Sequence, residues 1–351
     1  MKSNLDIFLI TYNRKTFLEE TLTRLCEADS PLSGYSITIL DNNSNDGTRE
    51  LCEDFVRRFA NLRYVKNNRN LGLAGNICKA MELASKKYYW IICDNDKIDY
   101  TSWPDIEKAM EEDYDLIMAS VDYNCDMVQD KRSFVLAQST FLPGCIYKTQ
   151  FLTDDVMAYA LADVHTVLPH VCMACNIINN NGRIFIPKTS VISLTFNVKI
   201  EDITKYSYDR TVSDNKNKLV HERTHFCNFP AGVCGSFKAL KDDRLRRRVI
   251  QNFIYPSRLN GYGPFLNISY LYKIQYGFTP FHPMSPHIWN EFTRAIPASE
   301  KMKALLFMFI PVAFYYQGDW FYIRIGQKFK TKLLKNVKGR YFFDFLTNFT
   351  Y

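Results

Sequence analysis

Four short apolar runs within the first hundred or so residues constrain the fold more than any other feature. They are Ile7-Phe8-Leu9-Ile10, Ile37-Thr38-Ile39-Leu40, Leu62 to Val65 and Tyr88 to Cys93. Tyr88 to Cys93, short, β-branched and aromatic and without polar alternation, reads as a central strand buried on both faces, and the other three runs, Leu62 to Val65 with Arg63 inside it among them, read as further strands. Helical periodicity fills the gaps between them. Leu18, Leu22 and Leu25 mark one face of a helix whose start matches a capping box, Thr16-Phe17-Leu18-Glu19. Leu51, Phe55 and Phe59 mark a second helix, and Ala74 to Ser85 supplies a third. Asn42 to Gly47 has the composition of a tight turn. Repeated βα units need crossover connections, so the expected class is α/β, with a mainly parallel sheet covered by helices on both faces.

After residue 97 the pattern loosens. Pro104 to Glu112 reads as a helix, Leu116 to Ser120 as a strand, Phe141 to Tyr147 as an extended piece turning back toward the sheet's edge, and Arg183 to Pro187 as another strand. The polar stretch from Glu201 to Asn228, with Tyr206, Tyr208, Asp209 and Arg210, reads as a loop or lid. From Asp242 onward the chain is helical and aromatic, broken by Pro256, Gly261, Gly263 and the cluster Pro280 to Pro286. With 351 residues, 47% of them hydrophobic, the chain can bury a full core, and a charged fraction of 23% excludes global disorder.

The net charge of +7 is concentrated near the end, where Lys328, Lys330, Lys332, Lys335, Lys338 and Arg340 occur with no acid among them. No nucleic-acid-binding module accompanies that charge, so nucleic acid is not expected as a partner. Ten irregularly spaced cysteines, several in core elements, fit reduced thiols in the cytoplasm rather than a disulfide framework. Met1-Lys2-Ser3-Asn4 runs straight into a strand pattern, so no secretory signal is expected. Cys172 and Cys175 form a CxxC, but Cys227 and Cys234 lack the tight spacing of a second zinc-binding pair.

The fourth strand runs directly into Asp94-Asn95-Asp96. On an open α/β sheet, ligands collect at the carboxyl ends of such strands. Residues i and i+2 share a side in extended backbone, so both carboxylates can face one site. Hard oxygen ligands of this kind suit Mg²⁺ or Mn²⁺, which offsets the charge of a departing diphosphate. The competing account is a polar turn after a strand.

The order of motifs resembles family 2 glycosyltransferases, the inverting nucleotide-sugar enzymes of GT-A fold. The matching pieces are Ile10-Thr11-Tyr12-Asn13-Arg14, Leu40 to Thr48, Asn70 to Asn76, and Asp94-Asn95-Asp96, a span from residue 5 to about 100. The resemblance gives little beyond residue 200. A GT-A domain is expected over residues 1–240, and the change of pattern from Asp242 onward sets off a helical, aromatic and basic region over 241–351. The resemblance implies a nucleotide-sugar donor, UDP-linked, met by Thr11, Tyr12, Asn13, Asp41, Arg69, Asn70, Gly72, Asn76, Asp94 and Asn95. Asp41 would accept the imide N–H of uracil. Asp96 would bind the metal directly, and Asp94 would meet the ribose or the metal through water.

Inversion also needs a base to deprotonate the acceptor hydroxyl. The acidic pair that the resemblance places past a small-residue strand is missing here. The stretch Ala162 to His170 offers His170, Asp163 and His165 instead. A neutral imidazole can take a proton near pH 7, though a histidine at a helix start also serves as a structural hydrogen-bonding group.

Ala304 to Phe314 is apolar but too short to span a bilayer. The aromatics Trp320 to Tyr322 precede the basic run, and the pattern suits a helix lying on an anionic membrane surface, beside a lipid-linked saccharide acceptor on the inner face of the cytoplasmic membrane. The competing account is a core-packing hairpin with a solvated basic face. A sugar-nucleotide pyrophosphorylase would need a glycine-rich loop after the first strand, and Thr11 to Lys15 has no glycine. A fold-retaining module that has lost catalysis is the other alternative.

Overall fold

A computed structural model describes residues 4–121, 130–162, 168–193 and 236–254, with the side chains of 250–254 excepted. The chain divides into two compact units, Met1–Asp214 with Gly235–Val249, and Asn215–Cys234 with Ile250–Tyr351. The sheet lies in the first.

The first half follows the expected alternation: β1 (Leu5–Thr11), α1 (Lys15–Leu25), β2 (Ser36–Asp41), α2 (Thr48–Arg58), β3 (Leu62–Lys66), α3 (Gly72–Leu83) and β4 (Tyr88–Cys93). Then come β5 (Lys97–Ile98), α4 (Trp103–Glu111), β6 (Leu116–Met118), α5 (Lys131–Gln138), β7 (Cys145–Lys148), α6 (Asp154–Ala162), α7 (Val171–Asn179), β8 (Ile184–Phe185), β9 (Ile192–Ser193) and α8 (Asp243–Ile254). The expected loop from 201 to 228, and the C-terminal region beyond α8, lie outside the described residues.

Seven strands form one sheet in the order β3-β2-β1-β4-β7-β6-β8. β1 pairs in parallel with both β2 and β4, while β7 runs antiparallel to its neighbours β4 and β6. The sheet is therefore mixed but mainly parallel. β5 and β9 make a separate two-stranded ladder, with Lys97 opposite Ser193, directly after the Asp94-Asn95-Asp96 segment.

The core explains why the strands read so clearly. β1, β2 and β4 are almost wholly buried, and the leucine face of α1 packs into the same cluster as Trp90, Trp103 and Ile146. Trp90 stacks on Trp103 with ring centroids 5.9 Å apart, and Tyr35 meets Trp103 edge-on at 5.7 Å. Such aromatic pairs add about 0.5–1.5 kcal/mol each beyond the area they bury. The Trp90 indole N–H donates to the Pro143 carbonyl at 2.7 Å, so its polar edge is satisfied and β4 is tied to the segment leading into β7.

One local expectation is corrected. Thr16 does not cap α1: the helix begins at Lys15 with Arg14 as N-cap and no side-chain cap. The Lys15 amide instead donates to the Asp46 carboxylate at 3.0 Å, so a neighbouring loop supplies the acceptor that a capping box would have provided.

Candidate active site

The carboxyl ends of β1, β2 and β4 lie side by side. Thr11 is opposite Asp41 in the β1–β2 register, and Ile10 is opposite Cys93 in the β1–β4 register. This brings together residues that are far apart in sequence. The Thr11 hydroxyl donates to Asp94 Oδ2 at 2.7 Å, and Arg14 Nη1 donates to Asp94 Oδ1 at 3.0 Å. Thr21 of α1 donates to the Asp94 carbonyl at 2.8 Å. Asp94 is buried, and loss of water raises its pKa, with the Arg14 charge and the Thr11 hydrogen bond opposing that rise.

Asp96 is held differently. The Cys93 amide donates to its Oδ2 at 3.0 Å, curling the chain back on itself after β4. Burial pushes its pKa up to about 7, with the amide hydrogen bond opposing the rise and the Asp94 charge adding to it. A bound divalent cation would reverse that balance.

The two acids therefore differ in what they can offer a metal. Both oxygens of Asp94 accept from protein donors, while Asp96 accepts from the Cys93 amide at Oδ2. Among the described residues no group of three or more His, Cys, Asp or Glu side chains could hold a metal ion.

Asp41, expected to accept from uracil, has partners within the protein. It is fully buried, its Oδ1 accepts from the Ser44 amide at 2.8 Å and the Ser44 hydroxyl at 2.6 Å, and its Oδ2 accepts from Tyr64 at 2.7 Å. Three of the roughly four acceptor positions of the carboxylate are thus used within the protein. In this structure Asp41 organises the β2–α2 turn. That turn is laced to the β1–α1 loop: the Asn13 amide donates to Ser44 Oγ at 2.8 Å, and the Asn45 amide donates to Asn13 Oδ1 at 2.9 Å. Asn13 takes a left-handed φ of 51°, a conformation asparagine tolerates better than most residues.

The third loop is locked by asparagines. Asn42 donates to Asn70 Oδ1 at 2.7 Å and to the Gly72 carbonyl at 3.1 Å, and accepts from Asn67 at 3.1 Å and from the Leu71 amide at 2.9 Å. All four hydrogen-bonding positions of its side chain are used. Asn67 also donates to Asn76 Oδ1 at 2.8 Å, and Asn76 donates to the Leu40 carbonyl at 3.2 Å. Asn70 and Asn76 thus hold loop to loop. Gly72 has φ +72°, and a Cβ there would meet nothing within 4 Å, so glycine serves the backbone conformation rather than a close approach.

Of the other expected contacts, Tyr12 is buried, Asn95 is half-buried and Arg69 is exposed. Sequence reasoning passed over Arg14, Asn42, Ser44 and Asn67. The first three stand inside the quoted motifs, and Asn67 sits in the polar turn just before one, so the signal was present without a role.

His170 has the setting of a structural histidine rather than a base. It is buried at the start of α7, its Nε2 lies 2.9 Å from the Ser139 carbonyl, and burial lowers its pKa to about 4. An acceptor hydroxyl cannot reach a side chain only 1% exposed. Asp163 and His165 lie outside the described residues. So do Cys227 and Cys234, while Cys172 and Cys175 are buried free thiols, Cys172 donating to the Pro169 carbonyl at 3.0 Å. A groove of about 610 Å³ runs along α1, lined by Thr16, Glu19, Glu20, Thr23, Arg24 and Glu27, and shares no residue with the strand ends.

The sheet order, the antiparallel β7 and the clustered acids at the strand ends define a GT-A fold. The mannosyltransferase PcManGT from Pyrobaculum calidifontis, solved in complex with GDP-Man and Mn2+, superimposes with a TM-score of 0.53 at 13% identity, over 91% of this chain and 88% of that one. S. aureus TarS 1-349 gives a TM-score of 0.46 at 15% identity, over 90% of this chain and 92% of that one. The model of the family described as glycosyl transferase family 2 matches residues 6–159, so this part of the chain is similar to that family. The abequosyltransferase RfbV of Salmonella typhimurium is 24% identical over 212 residues, which is 52% of this chain and 64% of that protein, so the match spans less than two thirds of the relative's length.

Proposed function

We propose that the protein is an inverting, metal-dependent glycosyltransferase that moves a sugar from a nucleoside diphosphate donor, UDP-linked, to a hydroxyl of a surface-glycan or lipid-linked saccharide acceptor. The observation that carries this reading is the convergence of Thr11, Asp94 and Asp96 at the carboxyl edge of β1 and β4 within a domain similar to family 2. The related abequosyltransferase is a sugar transferase by name, and PcManGT was solved with a nucleotide sugar and Mn2+. Both support a nucleotide-sugar donor here.

In this scheme Asp96 supplies the direct carboxylate to Mg²⁺ or Mn²⁺, and Asp94 keeps its place through Thr11 and Arg14. The bound cation would neutralise charge that grows on the leaving diphosphate. The three laced loops fix the geometry in which the donor lies across the strand ends. With His170 buried, the base falls to Asp163 or His165, and Asp163 is the first to test. No helix of the described residues is long and apolar enough to cross a membrane. We place the protein in the cytoplasm, peripheral to the membrane's inner face through the basic and aromatic residues of 241–351.

A panel of nucleotide sugars scored by released nucleoside diphosphate, with and without Mn²⁺, tests the reading. The expected result is metal-dependent release from one donor class, with Asp163→Asn stopping transfer while donor binding persists. Intact donor binding with no release under any acceptor condition would favour a non-catalytic module. No binding of any donor would overturn the proposal.

A further inference from the structure

Resting on the donor reading above, we propose that Arg14 is a donor-positioning residue that joins Asp94 to the donor's β-phosphate. Arg14 ends the β1–α1 loop and is the N-cap of α1, so it stands where β1 and β4 deliver their acids. Its Nη1 contacts Asp94 Oδ1 at 3.0 Å, and the arginine side chain is 23% exposed while that of Asp94 is 2% exposed. The pair is thus anchored on its buried side and meets solvent only through the arginine.

Three observations give this pair a role beyond fold. The Thr11 hydroxyl fills the other Asp94 oxygen, so the carboxylate is spoken for on both sides and its charge is matched within the protein. Asp96, held through Oδ2 by the Cys93 amide, is then the carboxylate that would be offered to a metal. A diphosphate held through one protein carboxylate and its cation would gain from further N–H donors against its outer oxygens. A guanidinium is a planar fork with five N–H donors and can bridge a carboxylate and a phosphate at once. The N-terminal end of α1, an 11-residue helix, adds the favourable end of its dipole at the same place. Lysine, a point charge with a shorter reach for two acceptors, would reproduce the charge but not the bridge.

The test is calorimetric titration of the full chain with UDP, GDP, CDP and dTDP and with the corresponding monophosphates, each in Mn²⁺. The wild-type protein should prefer the diphosphate of at least one base. Arg14→Ala should weaken that diphosphate about tenfold or more, the scale of one charge-assisted hydrogen bond, while changing the monophosphate much less, so that their affinity ratio collapses. Arg14→Lys should restore part of the ratio. Arg14→Ala leaves Asp94 buried without its cation, so the double variant Arg14→Ala/Asp94→Asn, which buries no uncompensated charge, should fold and still lack the preference. Equal weakening of mono- and diphosphate, or an unchanged ratio, would make Arg14 structural and overturn the proposal. Failure of the wild-type protein to bind any diphosphate would overturn the donor reading and this inference with it.

Discussion

Asp96→Asn is expected to lower donor turnover about a thousandfold, or ~4 kcal/mol, the scale of transition-state charge stabilisation by a metal ion. The reason lies in how the side chain is held. Its Oδ2 accepts from the Cys93 amide, an interaction that the asparagine carbonyl can still make, so the turn after β4 survives while the anionic ligand is lost. Circular dichroism and thermal melting should therefore stay close to wild type, and released nucleoside diphosphate should fall. Asp94→Asn should behave differently, because Asp94 is buried against Arg14 and Thr11 and its charge balances the guanidinium. Full turnover in Asp96→Asn would remove the metal from the scheme.

The second large effect concerns stability. Burial lowers the His170 pKa from 6.5 to about 4, because an imidazolium cannot be solvated there. The unfolded chain protonates this histidine first as pH falls. Neutral burial therefore contributes its full stability above pH about 6.5 and loses it progressively down to pH about 4. The linked free energy is about 3 kcal/mol. His170→Gln retains a donor for the Ser139 carbonyl and has no such titration. Urea unfolding of both proteins at stepped pH should show the wild-type advantage over the variant shrinking by about 3 kcal/mol across that window. A difference that does not change with pH would mean that the imidazole is hydrated in the native state, and would reopen its candidacy as the base.

Much of the first half of the fold is legible in the sequence because β1, β2 and β4 are buried on both faces. Tyr88–Cys93 reads as a strand for the same reason that it is one: five of its six residues are buried. The boundaries of β1, β2 and β3 differ from the apolar runs by only a residue or two, since polar residues such as Asp41 and Lys66 extend the ladders without extending the hydrophobic pattern. The second half is harder. Phe134, Val135 and Leu136 are adjacent apolar residues with no helical spacing, yet they lie in α5, whose start is set by Asp130 capping the Ser133 amide at 2.9 Å. β5 and β9 are two residues each, too short to carry a pattern.

The site was legible as a set of residue types and positions, and not as a set of partners. Thr11 and Asp94 are 83 residues apart, and only the β1–β4 pairing makes them neighbours. An acid at the end of β2 is visible in the sequence, but the use of its oxygens by Ser44 and Tyr64 depends on a turn and on the adjacent strand. The same holds for His170. A histidine opening a helix looks available until the packing around Ser139 buries it.

The central claim is that the carboxyl edge of β1 and β4 holds a metal-bound nucleoside diphosphate through Asp96. Electron paramagnetic resonance of Mn²⁺ titrated into the protein, alone and with UDP, GDP, CDP or dTDP, tests it without any acceptor. The expected result is little Mn²⁺ bound by the protein alone, retention of Mn²⁺ on the protein when the right diphosphate is present, and loss of that retention in Asp96→Asn. Mn²⁺ that no diphosphate brings onto the protein, or that Asp96→Asn retains as well as wild type, would contradict it.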